Sequence, residues 1–306
     1  MRSLRRAGPA LLVLLLFAAV ATADSVDPTL RILLLNDDGV DAPGILVLRA
    51  ALEKEGHRVV VVAPSGNRSG ASVSITTSGR IALRELEPGV WSVDGTPADC
   101  ARLAVTRILK EPVDLAVSGI NFGQNVGLGT ISSGTVGAAL TASGLGIPAI
   151  AISQAVDPDD VRNTVRYYPD AAAFTVALVS HLSETKGDGP ILPPGVTLNV
   201  NHPARHRPEL RGVRVTRQGR STLYTIVYET ADDGSVMMGF QPSTQPEPIE
   251  NADTTAIAAG FVSITPLDGT LTVGDAAFES LAPLAGAFGG FVPSKQLEAA
   301  SEPTAN

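Results

Sequence analysis

Four short polar clusters hold the residues with which this chain could do chemistry: Asn36-Asp37-Asp38-Gly39, Asn67-Arg68-Ser69-Gly70, Ser118-Gly119-Ile120-Asn121 and Ser132-Ser133-Gly134-Thr135. Adjacent carboxylates such as Asp37 and Asp38 repel each other unless protons or a cation intervene, and a divalent ion is the simplest neutraliser. Helix capping and solvation are the alternative for such a pair, and three further clusters of the same kind weigh against it. Asp37, Asp38, Ser69 and Asn121 together offer only oxygen ligands, which suits a hard ion, Mg²⁺ or Mn²⁺, better than zinc. Ser133-Gly134-Thr135 offers backbone N–H groups and two hydroxyls at a helix start, which makes either a phosphate cradle or an ordinary N-cap. Gly123, Gly127 and Gly129, in the loop from Asn121 to Gly129, would let backbone approach a ligand closely. Arg68 fits a phosphate contact and a plain surface position equally well.

Several other chemistries fail on particular residues. A haloacid-dehalogenase-type phosphatase needs Asp-x-Asp-Gly with the first Asp as nucleophile; Asn36 stands there, and an amide cannot form the acyl-phosphate. The Walker A lysine and the Gly-x-Ser-x-Gly elbow are both absent. His57, His181, His202 and His206 lack a zincin spacing, and Pro203 and Pro208 argue against His202 and His206 sharing a helical face. Cys100 is the single cysteine, so no disulfide scaffold or cysteine-cluster metal site forms within one chain; it reads as a small hydrophobe in a buried helix.

The clusters must be positioned by the elements that precede them. Arg31 to Leu35 is a short continuous apolar run, the pattern of a strand covered on both faces. Pro43 suits a first helical turn, and Ile45, Leu48 and Leu52 repeat at helical spacing up to Gly56. Strands follow at Val59 to Val62 and Leu115 to Val117, and again at Ile147 to Ile152, with β-like pieces at Ile81 to Leu86 and Val90 to Val93. Thr96-Pro97-Ala98-Asp99 opens a helix towards Leu109, and Ser133 opens another through Leu140. This rhythm predicts an α/β fold with a doubly wound, mostly parallel, Rossmann-like sheet, in which ligands bind beyond the carboxyl ends of the strands. Later strands fit Thr197 to Val200, Val213 to Arg217, Leu223 to Tyr228 and Phe261 to Thr265. Tyr224, Ile226 and Tyr228 alternate with polar residues, as in a half-exposed hairpin projecting from the core.

At the amino end, Arg2, Arg5 and Arg6 precede an apolar stretch from Ala10 to Val20 and then Ala21-Thr22-Ala23. That order predicts a signal peptide over 1–23, an uncleaved anchor being the alternative, and export to a periplasm where the source has one. The expected enzyme domain spans 24–281, with a small-residue-rich flexible tail over 282–306. The 306-residue chain has 23 basic and 31 acidic residues, a net charge of −8; losing the three leader arginines would leave 20 against 31, or −11. Such a balance argues against polymeric nucleic acid as a partner, and no stretch after the leader is apolar enough to span a membrane.

Ile32-Leu33-Leu34-Leu35-Asn36-Asp37-Asp38-Gly39-Val40, Ala42-Pro43-Gly44-Ile45, Val62-Ala63-Pro64, Asn67-Arg68-Ser69-Gly70-Ala71-Ser72, Gly95-Thr96-Pro97-Ala98-Asp99-Cys100, Val117-Ser118-Gly119-Ile120-Asn121 and Ser133-Gly134-Thr135-Val136 follow one another along the chain. In these stretches the chain resembles the SurE family (survival protein E), metal-dependent 5′/3′-nucleotidases. Asn199-Val200-Asn201 and Phe261 to Leu267 are weaker matches in the same order. The resemblance implies that Asp37, Asp38, Ser69 and Asn121 hold one divalent cation per subunit. It also implies that Asn125, Ser133, Gly134 and Thr135 line the phosphate side of the pocket. It further implies hydrolysis of nucleoside 5′- and 3′-monophosphates, and a homodimer or homotetramer built through C-terminal hairpins and tails.

Asp37 or Asp38 would then take a proton from water as general base, with Ser69 a ligand rather than a nucleophile. The readings to be told apart from this one are a broad-specificity phosphatase or exopolyphosphatase, and a non-catalytic exported protein that captures nucleotide or phosphate with the same loops. The family is usually cytoplasmic, so the leader sets this chain apart.

Overall fold

A computed structural model of the chain describes residues 29–272 and 279–281. The expected signal segment and C-terminal tail lie outside the described residues. The sheet begins with β1 (Arg31–Leu35), flanked by β2 (Arg58–Pro64) and β5 (Leu115–Phe122), both parallel to it. β3 (Leu83–Glu87) and β4 (Val90–Val93) extend it on one side; β6 (Ala149–Gln154), β7 (Thr197–His202), β11 (Val262–Leu267) and β8 (Val213–Val215) extend it on the other. The order is β3-β4-β2-β1-β5-β6-β7-β11-β8. Only the β3–β4 and β7–β11 pairs are antiparallel, as expected of a mostly parallel sheet.

The alternation within β1 builds two cores. Ile32 and Leu34 face one layer, with α1 (Pro43–Lys54) and α4 (Tyr168–Thr185). Leu33 and Leu35 face the other, with α2 (Pro97–Leu103) and α3 (Gly134–Gly144). All four β1 side chains are fully buried, which is why this strand reads as a continuous apolar run. The second layer is close-packed through alanines: Ala101, Ala138, Ala139 and Ala142 are wholly buried, and each small side chain lets a helix lie near the sheet. α4 escapes the sequence reading because Ala171, Ala172 and Thr175 dilute its apolar stripe, although Pro169 marks its first turn and Val179 continues the spacing.

From β1 the chain runs outward through β2 to β3 and β4, then returns to β5 on the other side of β1, so the crevice between the carboxyl ends of β1 and β5 is a topological switch point. β9 (Tyr224–Thr230) and β10 (Val236–Pro242) pair antiparallel as a separate two-stranded sheet, the expected projecting hairpin. α5 (Asp253–Ala258) lies between that hairpin and β11 in the chain. Among the described residues no helix is long and apolar enough to cross a membrane.

Candidate active site

The switch point brings three of the four polar clusters together. Asn36 turns the chain as it leaves β1: its Nδ2 donates to the Gly39 carbonyl at 2.7 Å, and the side chain is fully buried. Asp37 follows at 3% exposure, Asp38 half-buried beside it. The Phe122 N–H, at the end of β5, donates to Asp38 Oδ2 at 3.1 Å. Asn121 precedes Phe122 and is itself 7% exposed. A register shift between Ser118 and Asn121 breaks the β5–β6 ladder, and such irregularities re-aim side chains at strand ends. Asn121 Nδ2 donates to the Gly123 carbonyl at 2.7 Å, which leaves Oδ1 as the atom with which this amide can meet a cation.

α3 starts directly on Asp37. Thr135 Oγ1 donates to Asp37 Oδ1 at 2.5 Å, and both side chains are buried. A Cβ at Gly134 would stand 2.8 Å from Asp37 Cβ and Oδ2, so only glycine lets the helix start come this close. Ser133 caps the same helix, its Oγ accepting from the Val136 N–H at 3.1 Å. The turn predicted as a phosphate cradle thus spends the Thr135 hydroxyl on a carboxylate, and the Ser133 hydroxyl keeps its proton for another acceptor.

Burial pushes the Asp37 carboxyl above the ordinary carboxylate range, opposed by the Thr135 hydroxyl and the N–H groups of Thr135 and Gly134. Asp38 is pushed up to about 6, by burial first and the neighbouring Asp37 charge second, with the Phe122 N–H working the other way. Two adjacent desolvated carboxylates, with the Asp37 charge raising Asp38, make a site that favours an added positive charge. Their oxygens, with Asn121 Oδ1, form a hard donor set, so the residues present fit Mg²⁺ or Mn²⁺.

Ser69 sits on the exposed loop after β2, and that loop is tied to the same place. The Arg68 N–H donates to the Asp37 carbonyl at 2.7 Å, and Asn67 Oδ1 accepts from the Ser69 N–H at 2.9 Å. The Arg68 guanidinium turns away to Asp94 at 2.9 Å, which favours the surface alternative for that side chain.

Asn125 is 9% exposed and held by a row of polar side chains across the strand ends. Its Nδ2 donates to Ser153 Oγ at 2.9 Å, and its N–H donates to Asn201 Oδ1 at 2.7 Å. Its carbonyl accepts from Asn199 Nδ2 at 2.7 Å. Asn121, Ser153 and Asn201 lie in register across β5, β6 and β7, so this clamp is a property of the sheet. Sequence reasoning noted Asn199-Val200-Asn201 without giving it a role; two amides two apart in a buried strand point to one face, and that was the available signal. Tyr168, at the start of α4, was also missed: it is buried, and burial together with the Asp38 charge holds its phenol above the ordinary range.

The family model described as Survival protein SurE matches residues 32–225. The 5′-nucleotidase SurE of Legionella pneumophila (strain Paris) is 42% identical over 240 residues, 78% of this chain and 90% of that protein. The 5′/3′-nucleotidase SurE of Edwardsiella ictaluri (strain 93-146) is 42% identical over 246 residues, 79% of this chain and 91% of that protein. Among solved structures, the SurE protein from Aquifex aeolicus superposes with a TM-score of 0.69 at 34% identity, covering 83% of this chain and 99% of that one.

Proposed function

The chain belongs to the SurE family, and from that premise we propose that its Asp37–Asp38 site hydrolyses nucleoside 5′-monophosphates, and 3′-monophosphates with them. It is a phosphoric monoester hydrolase of the 5′-nucleotidase type. The observation that carries the placement of the reaction is the meeting of Asp37, Asp38 and Asn121 at the switch point, with the start of α3 seated on Asp37.

In this reading Asp37, Asp38, Ser69 and Asn121 would hold one divalent cation, Mg²⁺ or Mn²⁺. When bound, it would withdraw charge from the phosphate oxygens and make a water more acidic. The remaining work falls to the chain. Asp37 is immobilised by Thr135 and is therefore an orienting carboxylate. Asp38 is less buried and takes one N–H bond, from Phe122, so it is the carboxylate placed to accept a proton from water. Ser133, through its hydroxyl proton, and Asn125, fixed by Ser153 and Asn201, would meet the phosphate oxygens as charge builds there. The same reading takes the leader over 1–23 as an export signal, and the chain as a homodimer or homotetramer.

Phosphate release from 5′-AMP, 5′-GMP, 3′-AMP, p-nitrophenyl phosphate and tripolyphosphate, each with Mn²⁺, Mg²⁺ or EDTA, tests the proposal. Release from the nucleotides that EDTA abolishes is the expected result. Asp38→Asn should lose that activity while keeping the wild-type circular dichroism spectrum. Equal rates on every ester would replace the nucleotidase reading with a broad phosphatase, and nucleotide binding without turnover would replace it with a capture protein.

A further inference from the structure

The loop that leads from Asn125 into α3 is gripped on two sides. On the sheet side Asn199 and Asn201 hold Asn125. On the far side the Gly127 N–H donates to both carboxylate oxygens of Asp253, at 3.1 and 3.2 Å. The Gly127 carbonyl accepts from Gln218 Nε2 at 3.0 Å, and the Leu128 N–H donates to the Ser221 carbonyl at 3.1 Å. Gly127 has φ +55°, and a Cβ there would lie 2.0 Å from the Ser221 carbonyl oxygen, so the loop and the 217–221 segment touch backbone to backbone.

Asp253 itself is wholly buried at the start of α5. Its carboxylate also accepts from the N–H groups of Gly219, at 2.9 Å, and Thr254, at 2.8 Å. Among the described residues its hydrogen-bond partners are all backbone N–H groups. A buried carboxylate without a cationic partner is costly to keep, and one that joins two separate backbone segments fixes their spacing in return. Gly127 begins the turn that runs through Ser132, and that turn hands the chain to Ser133 at the cap of α3.

We infer that Asp253 is a positioning residue for the hydrolysis, holding Gly127 so that Asn125 and Ser133 stand at the right distance from the Asp37–Asp38 pair. This rests on the nucleotidase reading above. It assigns no contact with substrate or cation to Asp253: the carboxylate acts through the loop backbone.

Asp253→Asn tests it: the Gly219 and Thr254 N–H groups donate to Oδ1, whereas the Gly127 N–H is shared between Oδ1 and Oδ2, so an amide that keeps its oxygen at Oδ1 turns its NH₂ on the Gly127 N–H and loosens the loop. At saturating Mn²⁺, kcat/KM for 5′-AMP should fall about tenfold, and the inhibition constant of inorganic phosphate should rise by about the same factor. Mn²⁺ affinity, titrated without phosphate, should change several-fold less than the phosphate constant, since Asp37, Asp38 and Asn121 are not bonded to this turn and the Ser69 loop meets only its far end, through Ser72 to Ile131 and Ser132. General destabilisation would move the metal and phosphate constants together. Wild-type values for kcat/KM and phosphate inhibition in Asp253→Asn would overturn the positioning role alone; an inactive wild-type protein would bring down the nucleotidase reading and this inference with it. Should Asp253→Asn fail to fold, Gln218→Met decides: it removes only the bond to the Gly127 carbonyl and should raise the phosphate constant about threefold, and no change there overturns the inference.

Discussion

At the scale of single residues, the decisive contact is the one between Thr135 and Asp37. A hydroxyl at a helix start can face a ligand or a carboxylate, and the sequence offers both readings. Asp37 lies 98 positions earlier in the chain, so only the folding of β1 against α3 decides between them. The meeting of Asp37, Asp38 and Asn121 was legible because both clusters end buried strands that the apolar runs place in one parallel sheet. The clamp on Asn125 and the role of Asp253 were not, since each depends on backbone N–H groups that every residue carries. Removing the Thr135 hydroxyl takes the side-chain donor from a buried carboxylate and leaves it only backbone N–H groups. Thr135→Val should therefore cost about 1–3 kcal/mol in thermal unfolding. It should also lower kcat/KM for 5′-AMP by about 10²-fold through misplacement of Asp37. Thr135→Ser keeps the donor and should recover most of both; a Val variant at wild-type rate would show that the bond does not hold Asp37 for catalysis.

At the scale of elements, the sheet and the helices over it followed from periodicity, whereas the small pieces that lock the loops did not. α5 is six residues long and buries only Ala256 and Ile257 as apolar side chains, too little for a helical pattern to stand out. Its neighbour Glu247 ties the hairpin stem to it. Oε2 accepts from the Ser221 N–H and hydroxyl and from Thr254 Oγ1, while Oε1 accepts from the N–H groups of Arg220 and Ile249. Burial works against ionisation of this carboxyl, but these donors outweigh it and bring the group from 4.5 down to about 2. A carboxyl whose pKa is depressed by folding stabilises the native state above its unfolded pKa, and that stabilisation fades as pH falls through the folded value. The difference in melting temperature between wild type and Glu247→Gln should thus be constant above about pH 5 and shrink between 4.5 and 2. A difference that does not narrow on the acid side would mean that the carboxylate charge contributes nothing to the stem.

At the scale of the whole molecule, the feature least accounted for by one chain is the β9–β10 ribbon. Its register places Ile226 opposite Phe240 and Tyr228 opposite Met238, and the period of two puts these four with Val236 on one face. Phe240, Tyr228 and Val236 are each more than 60% exposed there, while Glu229, Thr225 and Gln241 fall on the other face with Val227 and Met237. Sequence alternation at Tyr224, Ile226 and Tyr228 already announced a half-exposed hairpin projecting from the core, but not that its apolar side chains would themselves be exposed. A two-stranded ribbon is at best marginal alone in water, and Glu247 and Asp253 hold only its stem. The proposed homodimer or homotetramer would cover the face with a second copy of itself, where Ile, Tyr, Met and Phe would pack across a symmetric interface. Light scattering should accordingly give a mass of two or four times 31.5 kDa for the unprocessed chain. Phe240→Glu, which sets a charge in the middle of the apolar face, should shift that mass to a single chain. Its Asp37–Asp38 site keeps every contact described above, so nucleotidase activity in a monomeric variant would place the ribbon in assembly alone. A wild-type protein that runs as a single chain at micromolar concentration would remove self-association as the reason for this face.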